Sequence, residues 1–97
     1  GAGQAVTDKV MEKIKTVSEN TNIKIMVSLS CTKCPEVVMA AQRIASLNKN
    51  VQAEMFDLRH YPDIKDKYSI MSVPCIIIND SKILFGKKSM EEILEEL

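Results

Sequence analysis

Apolar residues recur along the 97-residue chain in two rhythms, one near 3.6 residues and one near two, and the changes between them mark out eight elements. Val6, Val10, Ile14 and Val17 share one helical stripe over residues 5–19, with Lys9, Lys13 and Lys15 among the polar positions. Asn20-Thr21-Asn22 breaks that stripe and predicts a connection. Ile23 to Leu29 alternates and is rich in β-formers, so it predicts a strand, which residues 31–34 interrupt. Pro35 suits the first turn of a helix, where its missing N–H removes a donor that has no partner anyway. That helix runs to about Leu47 with a broad apolar face (Val37, Val38, Ala40, Ala41, Ile44, Ala45, Leu47), and Asn48-Lys49-Asn50 ends it.

Val51 to Asp57 predicts a second strand and Asp63 to Tyr68 a short helix. Cys75-Ile76-Ile77-Ile78 is a short apolar run bounded by turn signals, which predicts a buried strand. Asn79-Asp80-Ser81 is a turn, Lys82 to Phe85 the returning strand of a hairpin, and Gly86 closes it. Ser89 and Glu92 have the spacing of a capping box before Met90, Ile93, Leu94 and Leu97. The order is one extra N-terminal helix and then β-α-β-α-β-β-α. The helix between the first two strands is long enough for a parallel crossover, and the tight turn makes the last two antiparallel. An α/β fold with a four-stranded mixed sheet covered by helices follows.

Apolar residues make up 45% and charged residues 27%, the balance of an ordinary globular domain with a modest core. Lysine plus arginine equals aspartate plus glutamate at 13 each, which argues against a nucleic-acid surface or a polybasic membrane contact. No apolar stretch approaches the ~20 residues of a membrane span, and no signal-peptide pattern is present. A cytoplasmic monomer is expected. Gly1-Ala2-Gly3 reads as a cloning remnant and residues 4–97 as a single domain. The acidic run Glu91, Glu92, Glu95, Glu96 reads as a solvated helix face, and the six methionines as core filler.

The chemistry lies in three cysteines, too few and too odd a number for a disulfide scaffold. Cys31-Thr32-Lys33-Cys34 has the spacing of a redox pair or of half a metal site. Cys31 is expected to end a strand and Cys34 to begin a helix. The free N–H groups and dipole of a helix N-terminus favour a thiolate, and Lys33 adds positive charge, together drawing the Cys31 pKa from about 8.5 towards about 7 or below. Cys31 then attacks a substrate disulfide and Cys34 resolves the mixed disulfide. The alternative is a non-catalytic zinc-binding or adaptor module using Cys31, Cys34, His60 and Cys75. Its weakness is that His60 and Cys75 do not form a close pair. Val73-Pro74 opens a buried strand with a proline, which predicts a cis bond beside the cysteines and a Val73 backbone free to pair with an extended substrate. Cys75 is read first as a small buried hydrophobe and second as a third thiol, and His60 as a surface loop residue.

Ser30-Cys31-Thr32-Lys33-Cys34-Pro35 and Tyr68-Ser69-Ile70-Met71-Ser72-Val73-Pro74 resemble the thioredoxin/glutaredoxin superfamily. More narrowly, Val27 to Val38 is similar to the redox half of the N-terminal domain of the alkyl hydroperoxide reductase flavoprotein subunit, and Asn79-Asp80 to Phe85-Gly86 to its terminal hairpin. The resemblance extends over about residues 5–97. It implies a thioredoxin-like fold with no cofactor beyond the redox-active disulfide Cys31–Cys34. It also implies electrons passing from a flavoprotein or thiol reductant to a peroxiredoxin-like protein disulfide. The family's domain carries two tandem folds, and this length has room for one. Six positions before Cys31, where thioredoxins place a buried acid, this chain has Ile25.

Overall fold

A computed structural model describes residues 6–97, so the reading of Gly1-Ala2-Gly3 lies outside the described residues. The elements follow the expected order: α1 (Asp8–Lys15), β1 (Thr21–Val27), α2 (Cys34–Leu47), β2 (Val51–Asp57), α3 (Pro62–Lys67), β3 (Cys75–Ile78), β4 (Lys82–Phe85) and α4 (Met90–Glu95). The sheet order is β2-β1-β3-β4, with β1 parallel to β2 and the other neighbours antiparallel.

Strand alternation sorts the core into two layers. Ile23, Ile25 and Val27 of β1, with Ile76 and Ile78 of β3, face α1, α2 and α4 and pack with Ile14, Val37, Ile44 and Ile93. Met26, Cys75 and Ile77 face the other way, against Ile70 and the flanks of Ile64 and Tyr68. Seven isoleucines are among the fully buried side chains, each contributing roughly 1.5–3 kcal/mol of burial, so the two layers dominate the fold's stability.

At three boundaries a tertiary partner overrides the expected end, and α3 is shifted by one residue, to Pro62–Lys67 from the expected Asp63 to Tyr68. Helix α1 stops at Lys15 because the Asn48 side-chain amide donates to the carbonyls of Ile14 at 2.7 Å and Val17 at 2.9 Å, satisfying acceptors that another turn would otherwise use. Strand β1 starts at Thr21 because Thr21 and Asn22 pair with Val51 and Gln52 of β2, overriding the turn preference of Asn20-Thr21-Asn22. It ends at Val27 because β2 stops opposite that residue and β3 reaches only as far as Met26. Leu29, expected inside the strand, is 76% exposed.

Two local devices set the loop that faces the cysteines. Helix α3 ends in a Schellman motif: the Ile70 N–H donates to the Lys65 carbonyl at 3.0 Å and the Ser69 N–H to the Asp66 carbonyl at 3.3 Å, with Ser69 in the left-handed region at φ 51°. This turns the chain so that Ile70 is buried while Met71 is 91% exposed. The Val73–Pro74 bond is cis, and Pro74 is fully buried with its carbonyl accepting from the Gly86 N–H at 2.9 Å. At the far end of β3 the hairpin turns through Asn79 and Asp80, both with positive φ, residue types that tolerate it. The Asp80 carboxylate holds that turn to the sheet, accepting from Lys24 Nζ at 2.7 Å and the Tyr68 hydroxyl at 3.2 Å.

Candidate functional site

Cys31 and Cys34 are joined by a disulfide, their Cα atoms 5.5 Å apart. Cys34 is the first residue of α2 and is 3% exposed. Cys31 is half-buried and lies in the loop beyond β1 rather than at the strand's end. That loop is a turn closed by the Cys31 N–H donating to the Ser28 carbonyl at 3.2 Å. A nucleophile arriving from solvent therefore meets the sulfur of Cys31 first.

Lys33 is the N-cap residue of α2, exposed, and its side chain makes no capping bond. A lysine has only donors, so the helix start lacks the side-chain acceptor it commonly has. The first-turn amides are then left to favour an anion beside them, and Lys33 lines the same hollow as Cys31. Beneath the pair the surroundings are aliphatic: Ile25, Val27 and Val37 belong to the same buried cluster as Cys34. Ile25 is fully buried at the position where the resemblance places an acid in thioredoxins.

Two depressions flank the disulfide. On the β2 side a groove of about 440 Å³ is lined by both cysteines and by Val27, Leu29, Pro35, Val38, Met39 and Met55, with Asp57 at its edge. The Asp57 carboxyl is held below the usual carboxylate range by hydrogen bonds from the Arg59 side chain and N–H, the guanidinium Nη2 lying 3.0 Å away. On the other side a shallower hollow is lined by Ser28, Cys31, Thr32, Lys33 and Val73. Val73 packs against the buried cluster of Cys34, and among the described residues its backbone N–H and carbonyl make no hydrogen bond. Leu29, Met39 and Met55 were not among the expected site residues. Periodicity reports burial, so it gives no signal for apolar side chains that face an open groove.

The other sequence candidates fall elsewhere. Cys75 is a free, fully buried thiol on the sheet face opposite Cys34, and burial pushes its pKa up to about 11. Strand alternation is the reason it does not join the pair as a third thiol. His60 is exposed in the turn after β2, its N–H donating to the Asp57 carbonyl at 2.9 Å. The zinc set of Cys31, Cys34, His60 and Cys75 is thus not brought together. Among the described residues no three histidine, cysteine or acidic side chains are grouped to hold a metal. No helix among them is long and apolar enough to cross a membrane.

A family model described as a thioredoxin domain matches residues 21–97. The alkylhydroperoxide reductase AhpF of Enterococcus faecalis superposes with a TM-score of 0.92 at 44% identity, covering 98% of this chain and 45% of that one. A protein disulfide oxidoreductase from Aeropyrum pernix gives 0.87 at 30% identity, covering 95% of this chain and 42% of the other. Among curated proteins, an NADH dehydrogenase of Bacillus subtilis is 31% identical over 97 residues, all of this chain and 19% of the relative. The chain thus spans about a fifth of the length of that relative.

Proposed function

Because the chain belongs to the thioredoxin domain family, we propose that it is a thiol–disulfide oxidoreductase unit in which Cys31 attacks and Cys34 resolves. The observation that carries this reading is the asymmetry of the pair, with Cys31 half-buried at the junction of two depressions and Cys34 buried at the start of α2. In the dithiol form the Cys31 thiolate attacks one sulfur of a protein disulfide. A mixed disulfide forms, and the other substrate sulfur leaves as a thiolate and takes up a proton. Cys34 loses its proton and attacks the Cys31 sulfur, releasing the second substrate thiol and leaving Cys31–Cys34 oxidised. The α2 N-terminus and Lys33 stabilise the Cys31 thiolate in place of a histidine base. The unpaired backbone of Val73, beside Cys31 and ahead of Pro74, supplies an edge on which an extended segment of the substrate pairs.

Similarity to the AhpF protein supports a peroxiredoxin-like disulfide as electron acceptor and a flavoprotein or thiol reductant as donor, in the reducing environment of the cytoplasm. Two variants test the roles. Cys31→Ser abolishes reduction of insulin disulfides, whereas Cys34→Ser accumulates a mixed disulfide through Cys31 that mass spectrometry detects. Full turnover by Cys31→Ser would overturn the assignment.

A further inference from the structure

The chain has six methionines, and their exposure is unevenly distributed. Met26 and Met90 are buried and Met11 is half-buried, whereas Met39 is 45% exposed, Met55 54% and Met71 91%. Two of the exposed ones border the redox pair directly and the third lies one hollow away. Met39 and Met55 line the groove that contains Cys31 and Cys34. Met71 lines a neighbouring hollow with Ser28 and Val73, the residues that also bound the hollow at Cys31. This corrects the expectation that the methionines are core filler: half of them are exposed near the disulfide, two in its own groove and one in the hollow beyond Ser28 and Val73. A partner whose sulfur reaches Cys31 must cover at least part of this surface. A thioether there adapts to an apolar surface, but a sulfoxide is polar and resists burial.

We propose that Met39, Met55 and Met71 form an oxidative modification site, at which hydroperoxides lower the rate of exchange between the Cys31–Cys34 pair and protein disulfides. The step balances without another reactant. A thioether sulfur displaces at the peroxide O–O bond, one oxygen becomes the sulfoxide oxygen, and the rest leaves as water or an alcohol with the proton. Sulfur is oxidised by two electrons and the peroxide reduced by two. The Cys31–Cys34 disulfide protects both active sulfurs meanwhile, so the sulfoxides outlast the exposure and act once the pair is reduced again. The inference rests on the exchange reading above.

The test uses the full chain in its disulfide form, treated with hydrogen peroxide, freed of it, and reduced with dithiothreitol. Peptide mass spectrometry gives the oxidation at each methionine. Stopped-flow measurements give the rate of Cys31–Cys34 reduction by dithiothreitol and the rate of insulin reduction by the dithiol form. Met39, Met55 and Met71 are expected to oxidise well ahead of Met26 and Met90. Insulin reduction should slow roughly tenfold, equivalent to ~1.4 kcal/mol of lost contact, while the small dithiol reacts at its former rate. In the triple variant Met39→Leu, Met55→Leu, Met71→Leu, the ratio of treated to untreated insulin rates should return to near one. An unchanged insulin rate at full oxidation of the three, or an equal loss in the triple variant, overturns the proposal. Untreated protein that does not reduce insulin at all overturns the exchange reading, and the proposal with it.

Discussion

Cys34 and Cys75 are both buried cysteines, yet only one belongs to the pair, and the difference is one of direction. Cys34 sits at the first helical position of α2, turned towards the loop that contains Cys31. Cys75 occupies a strand position whose side chain points to the other face, among Met26, Ile70 and Ile77. The spacing of Cys31 and Cys34 was legible in the sequence because a turn and a helix start need only local residues. The burial of Cys75 was legible too, from the apolar run it opens; the sheet face it takes was not, because that depends on pairing register with β1. The buried thiol has a measurable consequence. Its folded pKa lies at about 11, above the 9.0 of an unperturbed thiol, so the unfolded chain loses this proton first as pH rises. The stability held by the neutral thiol is complete below pH 9 and declines between 9 and about 11, by roughly 2–3 kcal/mol at most. Urea titrations from pH 8 to 11 should show a smaller decline in Cys75→Ala than in the parent chain. Parallel declines would contradict the assignment.

Among the elements, α4 is the most faithfully written in the chain. Ser89 and Glu92 form the full capping box, with the Ser89 hydroxyl accepting from the Glu92 N–H at 3.1 Å and the Glu92 carboxylate from the Ser89 N–H at 3.0 Å. The ends of α1 and β1 were less legible because Asn48 and β2 decide them from far along the sequence. Helix α3 shows a third case, a local motif filled by an unfavoured residue. Its left-handed C-terminal position is Ser69, where glycine commonly stands. Relief of the side-chain clash outweighs the greater freedom of an unfolded glycine, so Ser69→Gly should stabilise the protein by about 0.5–1 kcal/mol. Thermal denaturation would register this as a higher Tm, and a fall would show that the Ser69 side chain contributes more than the strain it causes.

On the scale of the whole molecule, the chain order of elements was enough to fix the class of fold, because a long helical connection and a tight turn leave few arrangements of four strands. What emerged only in three dimensions is the convergence at one end of the sheet. The β1–α2 loop, the end of β2 with Met55 and Asp57, and the loop before β3 with Val73 all reach the disulfide from different parts of the chain, and Met71 lies one hollow further out. Leu29, Met39 and Met55 carried no sequence signal because their apolar side chains face a groove rather than a core, and periodicity reports only burial. Cys31–Cys34 is read above as a working redox couple rather than a structural cross-link. The midpoint potential tests this, measured by equilibrating the protein with glutathione buffers and, at the more reducing end, dithiothreitol buffers, and scoring free thiols. One reversible two-electron transition is expected within the range of working dithiols, about −270 to −120 mV, lost in Cys31→Ser and retained in Cys75→Ala. A midpoint below about −300 mV, the range of structural disulfides, or a transition that needs Cys75, would contradict it.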